Sequence, residues 1–276
     1  MNASHRWQRL RNRVPRLLLW AVVVATYTFM LIPILITAAV SFNEGNRSTF
    51  PPEGFSLEWW REAMSAQWLD PVFFSLRLAT GASLIASVLG LLIAFALHRY
   101  RFLGREALVT LAMAPLMLPA LITGIGLLQL FHFTGLRGWI GMPSLMIGHV
   151  AISIPYTVRT ISISLATIPA NMEQAAMNLG ARPLAVLRTV TLPLVKSGVF
   201  AGVVFTFIHS FNDVPLSLFI SRPGAQPIPI VILNFMEFGF APTLAAVAII
   251  TVVIPLVLVV AVERMVGVGS FIYPRD

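Results

Sequence analysis

The sequence predicts an all-α, polytopic membrane protein with six transmembrane helices. Three observations lead there. Only 11% of the 276 residues are charged while 57% are hydrophobic, with a mean hydropathy of +0.84, against about 25% charged in an ordinary globular domain. The apolar residues fall into six long runs separated by polar segments. With the N-terminus placed inside, 14 of the 19 basic residues lie in the inner segments, the asymmetry that sets orientation in a membrane. The net charge of +8 therefore reads as anchoring to anionic lipid, not as nucleic-acid binding. The sequence contains no Cys, which excludes disulfides, thiolate metal ligands and thiol catalysis.

Residues 1–16 form a basic head with Arg6, Arg9, Arg11, Arg13 and Arg16, expected in the cytoplasm. The first span, Leu17 to Val40, has 24 residues without charge, more than the roughly 20 that cross a hydrocarbon core of about 30 Å. It exceeds the roughly 7–15 apolar residues of a signal peptide and reads as a retained span. Residues 41–71 form an acidic outer loop with a turn at Pro51-Pro52 and a short amphipathic helix around Leu57, Trp59 and Trp60, as befits an interface. The second span, Phe73 to Leu97, carries Gly81, Ala82, Ser83, Ala86, Ser87 and Gly90, which let helices approach closely. Arg99, Arg101 and Arg105 follow in the next loop. The third span, Ala107 to Phe131, should kink at Pro115, Pro119, Gly124 and Gly126. The fourth runs from Met142 to Ile163, broken by Pro155, and the fifth from Ser197 to Ile220. A loop with Arg222 and Glu237 leads to the sixth, Thr243 to Val262, kinked at Pro255. The tail carries Arg264 and Arg275, and both termini fall in the cytoplasm.

Between the fourth and fifth spans, residues 165–195 form a polar segment that the charge asymmetry places in the cytoplasm. Pro169 closes the fourth span, and Asn171 with Gln174 three residues on is a variant capping box. The first short helix should end at Leu179, with Gly180 in the left-handed position that follows. Pro183 suits the first turn of a second helix, and Pro193 should bend that helix into the fifth span. Ala175, Ala176 and Gly180 give a face with almost no side chain, open to close approach by another protein. Helices this short are marginal alone, so the segment reads as a docking element as well as a connection.

The run Gln174-Ala175-Ala176, three residues, Gly180, nine residues, then Val190-Thr191-Leu192-Pro193 resembles the "EAA" loop of permease subunits in binding-protein-dependent ABC importers. Gln174 stands where that family has Glu, with Glu173 one position earlier, so either could make the polar contact with the ATPase. Ser41-Phe42-Asn43, Phe55-Ser56-Leu57 with Trp60, and Ser210-Phe211-Asn212-Asp213 look like the spermidine/putrescine branch, second permease subunit type. The resemblance implies a type I importer permease fold in a bacterial inner membrane, spanning 17–276 after the head. It also implies a second permease, two copies of a cytoplasmic ABC ATPase, an extracytoplasmic solute-binding protein and a small cationic substrate. The coupling residues it marks are Glu173, Gln174, Ala175, Ala176, Gly180, Leu192 and Pro193.

Asp213 is the carboxylate inside a predicted span, where charge is costly enough to suggest function. Phe205, His209 and Asp213 are spaced i, i+4, i+8 and would share a face, with Asn212 beside them. A carboxylate near aromatic rings suits an organic cation. Equally, Asp213 could pair with Arg77 or cap a helix break before Pro215. Arg159 is expected to snorkel, His149 to pack or bridge, and Gly124 with Gly126 to serve packing or a kink. The sequence has no Walker A motif, hydrolase triad, HExxH or paired-carboxylate site. No catalytic or metal-ligating residues and no cofactor are assigned, and ATP is expected in partner subunits. The leading expectation is an ATP-driven importer permease for polyamines. An importer for another small solute is the alternative, followed by an ion-coupled secondary transporter.

Overall fold

The computed structural model describes residues 3–237 and 239–266, all helical or irregular apart from an isolated bridge between Arg222 and Ala225. The tail with Arg275 lies outside the described residues, as do the side chains of residues 3–14. Among the described residues, four helical stretches are long and apolar enough to cross a membrane, and counting two sharply bent pairs as spans gives six. By contact the chain divides into two units, residues 1–65 with 239–250 and residues 66–238 with 251–276.

The first unit contains α1 (Ala3–Val40) and α2 (Glu58–Ala63). Its apolar α1 residues, Leu17 to Leu35, are largely exposed. At the end of α1, buried Asn43 organises the loop. Its Nδ2 donates to Arg47 O (2.7 Å), its Oδ1 accepts from Glu53 N (2.8 Å), and its carbonyl accepts from Trp59 Nε1 (2.8 Å). Phe42 stacks on Phe55 at 5.2 Å and on Trp60 at 5.4 Å. The short aromatic helix expected there is α2. Thr243 Oγ1 donates to Glu62 Oε2 (2.7 Å), and Ser48 Oγ to Phe240 O (2.7 Å).

In the second unit, α3 (Ala66–Arg99), α6 (Met142–Ala166) and α9 (Leu192–Phe211) pack together. Small residues make this approach possible. Ala79, Ala82, Ser83, Ala86, Gly90 and Ala94 on α3 are all buried, and Thr157 Oγ1 donates across the interface to Ala86 O at 2.9 Å. A Cβ on Gly90 would meet the Thr157 side chain and the Val158 backbone nitrogen. Gly90→Val is therefore expected to cost about 1–3 kcal/mol by overpacking, read as a lower thermal midpoint in detergent. Gly126→Ala, which faces open space, should leave the midpoint unchanged or slightly raise it.

Helix α6 runs unbroken through Pro155, where a break was expected, and four further features differ from expectation. The third span is two helices, α4 (Arg105–Met117) and α5 (Ala120–Phe133), bent by 108°. Pro119 disfavours helical geometry at Leu118, which is extended (φ −100°, ψ 134°). Gly124 serves packing, because a Cβ there would lie 2.9 Å from Leu216 O.

The second difference is the start of α7 (Ala170–Asn178), which has Pro169 as its N-cap and no side-chain cap. Asn171 lies within the first turn, so the expected capping box does not form. Third, Pro193 does not bend the chain. The short α8 (Pro183–Val186) runs through a π-helical turn, Leu187–Thr191, into α9. The wider turn gives the proline ring room that an unbroken α-helix denies. Fourth, the fifth span stops at Phe211 instead of reaching Ile220. A separate turn, α10 (Ser217–Ile220), follows, because Pro215 holds Val214 away from helical geometry. The loop beyond contains an unanticipated helix, α11 (Ile228–Met236), with Ile228 and Ile230 buried, ahead of α12 (Pro242–Val266).

Candidate functional site

Two clusters bring together the residues singled out by sequence. The first lies at the end of the bundle where α7 and α8 connect α6 to α9. Helix α7 ends in a Schellman motif: Gly180 N donates to Met177 O (2.9 Å) and Ala181 N to Ala176 O (3.1 Å), with Gly180 at φ +86°. This satisfies carbonyls that the helix end leaves open and turns the chain into Pro183, the first residue of α8.

Glu173 and Gln174 face opposite ways. The Glu173 carboxylate is buried, and its Oε1 accepts from Arg99 at 2.6 Å and from Thr191 Oγ1 at 2.7 Å. Gln174 and Ala175 are exposed, and Ala176 is half-buried. Around them Met172, Met177, Leu179 and Leu184 are exposed, Leu179 to 90%, so α7 and α8 present small residues rimmed by apolar ones. Leu192 packs against the buried cluster of Ala94, Val158, Ile161, Leu165, Ile168 and Val195, while Pro193 is exposed. Sequence reasoning did not single out Arg99 or Thr191. Thr191 stood inside the quoted motif, whereas Arg99 looked like one more loop arginine.

The second cluster surrounds the break between α9 and α10. Asp213 is buried, and its Oδ2 accepts from the Ser217 backbone N–H and hydroxyl, both at 3.0 Å. His149 lies alongside, fully buried. Its Nδ1 is 2.7 Å from Ser210 Oγ, its Nε2 is 3.0 Å from Ser217 Oγ, and the same nitrogen is 3.9 Å from Asp213 Oδ2. The carboxylate thus ties the helix break to Ser217, the first residue of α10, whose N-cap position is Leu216, a structural role at the break of the kind expected for it. Arg77, the other expected partner, donates instead to Phe73 O.

The expected single face of Phe205, His209 and Asp213 does not form, because α9 ends before Asp213. Phe205 is exposed, as is Asn212, whose Nδ2 donates back to Ile208 O at 2.9 Å. His209 is half-buried, its ring 4.9 Å from that of Tyr156 on α6. The result is an accessible strip of Phe205, His209 and Asn212 with a buried carboxylate behind the helix end. Arg159 is exposed, and His149 bridges two hydroxyls.

Comparison with known proteins identifies the chain's family. Residues 86–267 match the family described as "Binding-protein-dependent transport system inner membrane component". The chain is 33% identical to the spermidine/putrescine transport system permease protein PotC of Escherichia coli strain K12 over 249 residues, 90% of this chain and 93% of that one. It is 32% identical to the putrescine transport system permease protein PotI of the same strain, covering 83% of this chain and 84% of that one. A chain of a bacterial alginate ABC transporter, solved with an alginate pentasaccharide-bound periplasmic protein, superposes with a TM-score of 0.72 at 18% identity. The match covers 93% of this chain and 96% of that one, a likeness of fold.

Proposed function

Since the chain belongs to the inner-membrane components of binding-protein-dependent transport systems, we propose that it is one of two permeases in an ATP-driven importer of polyamines such as spermidine and putrescine. The observation that carries this reading is the outer face of α7 and α8. It is a short, C-capped, small-residue surface rimmed by exposed Met172, Met177, Leu179 and Leu184, an arrangement that the close approach of another protein would stabilise. On this reading residues 165–195 are the coupling loop, and the basic head at 1–16 and both termini are cytoplasmic, which the excess of Arg and Lys in those segments supports. Gln174, Ala175 and Gly180 face the ATPase. The chain has no Walker A sequence, which supports assigning ATP binding and hydrolysis to two partner subunits and a non-catalytic, pathway-forming role to the permease.

Polyamines as cargo follow from the similarity to PotC and PotI and from the second cluster. Phe205, His209 and Asn212 offer an aromatic and polar strip, and Asp213 adds negative potential behind it, a combination suited to an elongated organic cation. An extracytoplasmic solute-binding protein delivers the substrate. ATP binding draws the ATPases together, moves the docked loops and opens the pathway outward; hydrolysis returns it inward. Titrating the cognate binding protein tests the cargo. Spermidine or putrescine should bind saturably and more tightly than a sugar or an organic anion. Preference for either of the latter would overturn the assignment.

A further inference from the structure

Resting on the coupling reading above, we propose that Glu173, Arg99 and Thr191 form a latch. Through it, movement of α7 is passed to α3 and α9, which makes Glu173 a positioning residue of the transport cycle and not an ATPase contact. One carboxylate oxygen holds two elements at once, the last turn of α3 through Arg99 (2.6 Å) and the π turn entering α9 through Thr191 (2.7 Å). Both anchors are firm. Arg105 Nε and an Nη atom donate to Leu97 O at 3.2 and 3.1 Å, so the end of α3 is held by the chain that follows it. Leu192, next to Thr191, packs into the cluster shared by α3, α6 and α9.

The hold on α7 itself is polar. Among its described side chains Glu173 is the buried one, and the neighbouring Gln174 and Ala175 point outward. An apolar seam would have welded α7 to the bundle. A charge-assisted contact near the end of the bundle is directional and can be made, broken and remade as the loop moves. Arg99 Nε is buried and has no partner among the described residues. Such a spare donor can serve a second arrangement of the same pair.

The test is a charge swap in the reconstituted complex with the partner permease, the ATPase and the binding protein. ATPase co-purification, ATP hydrolysis and uptake are measured on the same preparations. Glu173→Ala and Arg99→Glu should each retain the ATPase, while uptake per ATP hydrolysed falls by about tenfold. Thr191→Val should give a smaller loss, and Glu173→Arg combined with Arg99→Glu should restore most of it, a recovery that a fold defect would not show. Unchanged uptake per ATP in Glu173→Ala would overturn the latch. So would loss of ATPase binding in that variant, which would make Glu173 a docking contact, or failure of the swap to rescue. A wild-type complex that neither binds the ATPase nor couples uptake to ATP would instead remove the coupling reading beneath it.

Discussion

Gly180→Val is expected to weaken association with the ATPase by about tenfold or more while the spans remain inserted. The reason is conformational. Gly180 sits at φ +86° with no atom within 4 Å of where a Cβ would lie, so nothing is struck, yet an L-residue in that region costs about 1–2 kcal/mol and a β-branched one more. About 1.4 kcal/mol is a tenfold change in an equilibrium constant, and α7 has little packing with which to absorb it. Losing the left-handed turn breaks the two Schellman hydrogen bonds and releases α8 from its angle to α7. Gly180→Asn should stay close to wild type, because Asn tolerates the left-handed region. Co-purification and membrane extraction of both variants check this. If Gly180→Asn is as damaging as Gly180→Val, side-chain bulk against the partner is the cause and the conformational account fails.

The second large effect is at Asp213, where two substitutions should separate two roles. Asp213→Leu removes the acceptor for the Ser217 N–H and hydroxyl and leaves buried groups unsatisfied, each at about 1–3 kcal/mol. It should lower thermal stability and abolish uptake. Asp213→Asn keeps an oxygen that can accept from the Ser217 N–H and hydroxyl, so stability should hold. Removing one negative charge behind the strip of Phe205, His209 and Asn212 should nevertheless raise the KM for a polyamine by about tenfold, through roughly 1–2 kcal/mol of lost attraction. Uptake kinetics and thermal midpoints on the same samples decide. An unchanged KM in Asp213→Asn would leave Asp213 with only its structural role at the helix break.

Much of the architecture was legible because it follows from composition and from residues with few conformational choices. The apolar runs marked the helices of α1, α3, α6 and α12, and small residues on α3 announced its close packing. Gly180 and Pro183 marked the boundaries of α7 and α8 because glycine and proline act locally. What the sequence hid depends on three-dimensional context. Counting i, i+4, i+8 along the fifth span assumed a helix that reaches Asp213. Pro215, two residues later, ends it sooner and turns the carboxylate toward Ser217 and His149. Pro193 appeared to be a bend because the π turn that accommodates it has no sequence signature of its own. Glu173 and Gln174 could not be ranked without knowing that Arg99, 74 residues earlier, comes to rest beneath α7. Helix α11 was missed because its residues sit among the prolines of a loop.

The central claim is that this permease moves a polyamine inward only when ATPases drive it. Its most direct test is uptake of radiolabelled spermidine into proteoliposomes containing the chain, its partner permease and the ATPase, with the solute-binding protein outside and ATP enclosed. Saturable accumulation that requires both ATP and the binding protein, and that persists when ion gradients are dissipated, is the predicted result. Accumulation that continues without the ATPase and follows an imposed ion gradient would contradict it.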